Sequence, residues 1–486
     1  MKERLLTNTE PIDVFHYFED LTFIPRESGN EKEVSDYLVN FAKEHDLEYK
    51  QDEWYNVLIR KEATPGYEDH PGVIVQAHMD MVCEKNGDVE HDFAKDPIVF
   101  EVEDDRVIAK NTTLGADDGI GVSFGLALLA DDSIKHPAIE FVCTSDEERG
   151  LQGIENFDFT QLKGDYVINV DSDDEGVVVV GCAGGPVVKV NVPIRKVPAD
   201  HKKEYYAIKI TGLRGGHSGE EIHRQRGNAN KMMARLLYHI AEEKSYRLSE
   251  IYGGSKDNVI AMEAHASLVA APEDTEQILA MIRNMEDIWN AEFMGEEPGL
   301  TVKTETEKNT DTVVFSKDTT QKVVGYLKAS PNGLKEYSRK VAGATETSLN
   351  LGVVSMKENG VEAAFLIRSA VDSRKQQVLE EVDAVTKAFG GTGTISSAYQ
   401  AWQYKPKSEL RPVMIEAYKE IYGKEPEICI IHGGLECGIF LGKRPDLDCV
   451  SCGPDVLDIH SYNERLDIAS TQRSWEFLKL VLKNCK

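Results

Sequence analysis

Four apolar runs within the first 171 residues each lead into a histidine or an acidic residue. Gly72-Val73-Ile74-Val75-Gln76-Ala77 is followed by His78-Met79-Asp80, and Val107-Ile108-Ala109 by Leu114-Gly115-Ala116-Asp117-Asp118-Gly119. Ile139-Glu140-Phe141-Val142-Cys143-Thr144 precedes Asp146-Glu147-Glu148, and Tyr166-Val167-Ile168-Asn169-Val170 precedes Asp171. Short apolar runs of this kind read as buried strands. In an open α/β sheet, ligands collect beyond the carboxyl ends of the strands. The pattern predicts an α/β fold with its chemistry at one sheet edge. A further cluster, Asp458-Ile459-His460, stands near the far end of the chain.

Each of these residues alone has an ordinary explanation. A loop aspartate is more often a solvated residue or helix cap than a ligand, and a lone histidine is as readily a hydrogen-bonded core residue. As a set they point elsewhere. Histidine and carboxylate are donors that zinc accepts, and two cations about 3.5–4 Å apart need a short two-oxygen bridge, which an aspartate supplies. The series reads as a two-metal hydrolase centre.

A chain of 486 residues exceeds one ordinary hydrophobic core, which gives a prior of about two to four domains. With 55 basic against 84 acidic residues the formal charge is −29, which repels nucleic acid and anionic membrane surfaces. The first residues lack an apolar stretch of signal-peptide length, and no run approaches the ~18 apolar residues of a membrane span. A cytoplasmic location is expected. Eight cysteines scattered through such a chain fit a reduced compartment. Cys449 and Cys452 form a lone C-x-x-C followed by Gly453-Pro454, read as ordinary buried thiols and not as a zinc or redox motif.

Amphipathic segments at 13–21 and 30–45 open the chain, and the apolar, glycine-containing run 119–129 reads as a helix suited to close packing on a sheet. After Asp171, the glycine-rich Gly181-Cys182-Ala183-Gly184-Gly185-Pro186 marks a hinge. Residues 1–184 are expected to form the first part of a catalytic domain, 185–389 an inserted α+β lid, and 390–486 the second part of the catalytic domain. That discontinuous arrangement lets His460 meet His78. Within the insertion, a strand at 205–210, a helix at 230–243 and a strand at 259–270 are followed by a similar set at 353–356, 363–368 and 375–387. The two sets point to an internal duplication.

The ordered series His78-x-Asp80, Gly115-Ala116-Asp117, Asp146-Glu147-Glu148, Asp171 and His460 resembles the M20 family of zinc peptidases. Gly215-Gly216-His217-Ser218-Gly219, Ile222-His223, Gly227-Asn228-Ala229-Asn230-Lys231, Arg368-Ser369 and His432-Gly433-Gly434-Leu435-Glu436-Cys437-Gly438 are similar to its aminoacyl-histidine dipeptidase branch, the cytosolic non-specific dipeptidases. The resemblance implies that Asp117 bridges two metal ions, that Glu148 and His460 hold one of them, and that His78 and Asp171 hold the other. It implies further that Glu147 is the general acid/base and that Asp80 orients His78 without binding metal. Asp118 departs from the asparagine expected of this branch and adds a negative charge beside the bridge. In shorter-lidded relatives a partner subunit completes the site, and a doubled insertion is expected to supply that contact within one chain.

Among the lid residues, the resemblance makes His217 a donor to the developing oxyanion, with His223 as a rival for the task. Arg368, at the end of an apolar run, is a candidate clamp for a substrate carboxylate, with a structural ion pair as the alternative. Gly433 and Gly434 either let backbone N–H groups approach that carboxylate or make a tight turn. Glu436 has no assigned role. The expected activity is that of a metallodipeptidase cutting the single amide of dipeptides, aminoacyl-histidine dipeptides included. Its cofactors are expected to be two divalent ions, zinc first, with manganese or cobalt admitted by the same donors. The alternatives are an aminoacylase or deacylase of N-acyl amino acids and, from another class, an inactive metal- or peptide-binding protein. Whether the chain forms a homodimer is left open.

Overall fold

The runs ahead of the acidic clusters form strands Val73–His78, Ile139–Thr144 and Tyr166–Asn169, each buried along its whole length. Burial on both faces is the reason they are mainly apolar where a half-exposed strand would alternate. In the computed structural model, which describes residues 4–200, 203–308 and 313–486, these strands are parallel neighbours in an eight-stranded sheet. The sheet order is Glu48–Gln51, Val57–Lys61, Ile139–Thr144, Val73–His78, Tyr166–Asn169, Asp448–Ser451, Val177–Cys182 and Glu427–Ile431. The register pairs His78 with Thr144 and Gln76 with Asn169. The three carboxyl ends therefore finish close to one level, and the residues beyond them emerge at one edge.

The helix Ala116–Ala130 is buried over almost its whole surface. Asp117 and Asp118 have non-helical backbone angles, so the regular helix starts after them, as the run 119–129 predicts. Its glycines serve close packing. A Cβ on Gly125 would stand 2.1 Å from the Phe141 ring, and one on Gly119 would press on the Arg26 guanidinium and approach Phe18 of the helix Ile12–Thr22.

One strand departs from the expected pattern. Arg106–Ala109 does not join the parallel sheet. It lies in a separate four-stranded sheet, ordered Val456–Leu457, Arg465–Asp467, Arg106–Ala109, Phe100–Glu103. Leu466 pairs with Val107 and Arg465 with Ile108, so this small antiparallel sheet brings the loop containing His460 to the segment containing Asp117. All eight cysteines are free thiols, and Cys449 and Cys452 are buried.

The chain divides into two compact units. One comprises Met1–Cys182, Tyr404–Cys429 and Leu435–Lys486, and the other Ala183–Gln403 and Ile430–Gly434. The second unit continues past residue 389, the expected end of the insertion. Strand Thr392–Tyr399 pairs antiparallel with Gly185–Pro193 along its length and so stays with the insertion's own sheet.

That sheet has a repeated plan. Strands Glu204–Thr211, Tyr246–Gly253, Ala264–Ala270 and Thr301–Lys308 make one half, with helices Ala229–Glu243 and Thr275–Phe293 in its two crossovers. Strands Gly185–Pro193, Thr345–Lys357, Gly360–Ser369 and Thr392–Tyr399 make the other, with helices Lys317–Ala329 and Asp372–Ala388 in the corresponding places. Within each half the strands lie in the order fourth, first, third, second, a β-α-β-β-α-β arrangement. The two second strands meet where Gly253 pairs with Val354. The expected strand at 259–270 is regular only over Ala264–Ala270.

Replacing Gly125 by Val tests the helix–sheet contact. Any residue but proline has a better helix propensity than glycine, yet the added methyl groups must displace Phe141. Overpacking of this kind costs about 1–3 kcal/mol, so the variant is expected to melt at a lower temperature and a lower urea concentration than the parent.

Candidate metal centre

His78 closes its strand with its side chain 1% exposed, and its two ring nitrogens face different partners. Nδ1 lies 3.2 Å from the Asp80 carbonyl and 3.5 Å from Asp80 Oδ1. Nε2 lies 3.0 Å from Asp117 Oδ1 and 3.5 Å from Asp171 Oδ1. The other Asp117 oxygen, Oδ2, is 3.0 Å from His460 Nε2, which is also 3.1 Å from Glu148 Oε1. One carboxylate thus presents an oxygen to each of two imidazoles that are far apart in sequence. Asp171 stands on one flank of it and Glu148 on the other. Among the described residues, ligand atoms of Asp117, Glu148 and His460 lie within 4.8 Å of one another, as do those of His78, Glu147 and Glu148.

Asp80 has a second task. Its carboxylate accepts from Ser28 Oγ at 2.7 Å and from the backbone N–H groups of Glu147 and Glu148 at 3.1 and 3.3 Å. The residue that faces His78 Nδ1 therefore also holds the loop with the two glutamates. Asp118, adjacent to Asp117, accepts from the N–H groups of His78 and Gly121 at 3.2 and 3.1 Å. Its carboxyl serves the backbone while that of Asp117 faces both imidazoles.

Two supporting residues fall outside the sequence reading. Glu464 is buried, and its carboxylate accepts from the N–H groups of Leu114, Gly115, Ala116 and Asp117 at 2.7, 2.9, 2.7 and 3.3 Å. It grips the whole segment leading to Asp117. Arg26, 2% exposed, donates to the carbonyls of Met79 and Asp80 at 3.0 and 3.2 Å and to that of Gly115. It ties the His78 loop to the Asp117 loop. The one sequence cue to Glu464 is its place four residues after His460.

Electrostatics explains what the cluster wants. Burial, reinforced by neighbouring carboxylates, pushes Glu147, Asp171 and Asp173 above the usual carboxylate range. Burial acts against charge on His460 as well, but the Asp117 and Glu148 carboxylates outweigh it and lift its pKa to about 11. His78 is raised in the same way by Asp117, Asp171 and Asp80 against burial. A site that draws protons onto both imidazoles and several carboxyls has an excess of negative charge to offset. Its donors are of the type that divalent transition metals take, so the residues fit a cation site.

The residues predicted to contact substrate all lie in the second unit. Arg368, 5% exposed, donates from one terminal nitrogen to Tyr399 Oη at 2.7 Å and to the His432 carbonyl at 3.3 Å. Its other terminal nitrogen is 3.4 Å from His217 Nε2, and its Nε has no partner among the described residues. None of these partners is a carboxylate. His217 is thus drawn to Arg368, whereas its rival His223 is exposed on the short turn Ile222–Arg224. A Cβ on Gly434 would come within 3.0 Å of the Tyr399 ring, while one on Gly433 would meet only Ile431 Cδ1, at 4.0 Å. Gly434 therefore has a packing reason of its own, since it admits the tyrosine that bonds Arg368.

A histidine–carboxylate cluster beyond the carboxyl ends of parallel strands is an arrangement of metal-dependent hydrolases. The chain belongs to peptidase family M20/M25/M40, whose sequence profile matches residues 74–484. It is 37% identical over 478 residues to the cytosol non-specific dipeptidase of Escherichia coli (strain K12), covering 98% of each chain. Its fold matches the crystal structure of aminoacylhistidine dipeptidase from Vibrio alginolyticus with a TM-score of 0.90 at 37% identity, over 98% of this chain and 97% of that one. The aminopeptidase PepT structure from Bacillus cereus shares the fold at a TM-score of 0.56 and 14% identity, over 98% and 99% of the two chains.

Replacing Glu464 by Ala leaves four backbone donors without their acceptor. Hydrogen bonds to a charged group are worth roughly 1.5–3 kcal/mol each and are not additive. Urea unfolding of this variant is expected to show a loss of about 3 kcal/mol or more.

Proposed function

We propose that the protein is a metal-dependent dipeptidase that hydrolyses the one amide bond of dipeptides, aminoacyl-histidine dipeptides included. The observation that carries the reading is the Asp117 carboxylate set between His78 and His460, with Glu147 beside them. His78, Asp117 and Asp171 would hold one divalent cation, and Asp117, Glu148 and His460 a second. Zinc suits these donors best, and manganese and cobalt share them. When bound, such ions supply Lewis acidity to the scissile carbonyl and lower the pKa of water.

The chain's own residues do the rest. Burial, with Asp171 and Glu148 adding and His78 opposing, raises the Glu147 carboxyl well above the usual carboxylate range, which makes it a better proton acceptor than an exposed glutamate. One Glu147 oxygen takes a proton from the attacking water and returns it to the leaving amide nitrogen. Asp80 fixes the His78 ring through Nδ1, so that Nε2 stays turned to Asp117.

In the second unit, Arg368 is the proposed anchor for the substrate's free carboxylate. A buried guanidinium whose hydrogen-bond partners, the Tyr399 hydroxyl, the His432 carbonyl and the His217 ring, include no carboxylate retains donors that suit an anion. His217, held against it, is the proposed donor to the oxyanion, and Gly433 and Gly434 are the proposed backbone contacts to the same carboxylate. The cytosol, in which the name of the E. coli relative places that enzyme, is carried over with the activity. No helix among the described residues is long and apolar enough to cross a membrane.

Chelator-treated protein is expected to leave dipeptides intact and to recover when zinc, manganese or cobalt is restored. Under the best of these conditions Glu147→Gln should lose at least ~10²-fold in kcat, since a positioned acid/base contributes ~10²–10⁴-fold. A rate near that of the parent would remove Glu147 from this role. Arg368→Ala should raise KM for dipeptides by about tenfold or more, the scale of a lost charge-assisted hydrogen bond. It should change KM little for the matching dipeptide amides, which have no carboxylate to anchor.

A further inference from the structure

Glu436 is fully buried in the first unit and lies outside the histidine–carboxylate cluster. It opens the helix Glu436–Lys443. Its Oε2 accepts from Gln76 Nε2 and from Thr144 Oγ1, the latter at 2.8 Å. Gln76 extends the network: its Nε2 also reaches Thr144 Oγ1 at 3.3 Å, and its Oε1 accepts from Asn169 Nδ2 at 2.6 Å. All four side chains are 0% exposed.

The placement of these partners is what gives the network its meaning. Gln76, Thr144 and Asn169 stand on three adjacent parallel strands, and each comes two or three residues before a member of the cluster. Gln76 precedes His78, Thr144 precedes Glu147, and Asn169 precedes Asp171. Side chains two apart on a strand share a face, so Gln76 lies on the His78 face of its strand. A polar layer thus runs under the cluster, at a level of a doubly covered sheet where apolar residues would cost less. Burial pushes the Glu436 carboxyl up to about 8, and its Oε1 has no partner among the described residues. Its visible work is hydrogen bonding, through the one oxygen that joins two strands directly and the third through Gln76.

We infer that Glu436 is a positioning residue for the cation site: by bonding Gln76 and Thr144, and through Gln76 reaching Asn169, it sets the strand ends from which His78, Glu147, Glu148 and Asp171 project. This rests on the reading of the cluster as a cation site. The acting feature is the hydrogen-bond acceptor at Oε2. A glutamine at 436 presents an amide oxygen to the same two donors, whereas a leucine removes that acceptor and leaves them only their longer bonds, Gln76 Nε2 to Thr144 Oγ1 and Thr144 Oγ1 to the Ala77 carbonyl, each at 3.3 Å.

The test is calorimetric titration of metal-depleted protein with zinc, alongside dipeptide kinetics, for the parent, Glu436→Gln and Glu436→Leu. Outer partners of metal ligands commonly matter by 10–100-fold in affinity or activity. The leucine variant is expected to lose about tenfold or more in zinc affinity and in kcat, with KM within about twofold of the parent. The glutamine variant should stay within about threefold on every measure. A folded leucine variant with parental zinc affinity would overturn the inference, and so would a glutamine variant as impaired as the leucine one. Should the leucine variant fail to fold, Thr144→Val removes one donor at nearly constant volume. It is expected to lower zinc affinity by about threefold or more, and unchanged affinity would count against the proposal. Zinc titration needs no turnover, so a parent protein that binds zinc yet cleaves no dipeptide would refute the dipeptidase reading alone.

Discussion

Buried carboxylates repel one another, and a protein that gathers several of them must hold each in place against that repulsion. This constraint organises the first unit. Asp117, Asp171, Glu147 and Glu148 converge on two imidazoles, and every segment that delivers them is tied down. Glu464 holds four consecutive N–H groups, from Leu114 to Asp117 itself. Asp80 holds the N–H groups of Glu147 and Glu148. Arg26 connects the loops after His78 and before Asp117 through their carbonyls. The sheet supplies parallel strands that end together, and buried hydrogen bonds turn that rough convergence into a defined site.

Much of this was legible in the sequence because strand burial and site chemistry leave separate marks. Continuous apolar runs mark the central parallel strands, and a histidine or acid just past each run marks the edge where chemistry is possible. The five residues expected to bind metal do come together in space, including His460, which is 343 residues from Asp117. What escaped the sequence is of two kinds. Strand partnership is non-local, so nothing in Val107-Ile108-Ala109 announces that its neighbour is Arg465–Asp467 and not the parallel sheet. The same reason hid the pairing of Thr392–Tyr399 with Gly185–Pro193, which extends the second unit beyond residue 389.

Buried charge is the other kind. Arg26, Glu436 and Glu464 look like surface residues in a chain of this composition, and only their neighbours in space reveal their work. Two helices of the second unit, Thr275–Phe293 and Lys317–Ala329, also fall outside the sequence reading. The first buries only Ile278, Ile282, Met285 and Trp289, a narrow stripe diluted by charged residues. Long helices that present one thin apolar seam give a weak periodic signal.

The repeated plan of the second unit bears on how its polar residues meet. His217 follows the first strand of one half, and Arg368 lies on the third strand of the other. Had the halves been separate molecules, the encounter of these two side chains would weaken on dilution, because association between chains depends on their concentration. Covalent linkage replaces that dependence with a fixed effective concentration. The imidazole and the guanidinium therefore remain neighbours at any protein concentration, however scarce the protein becomes.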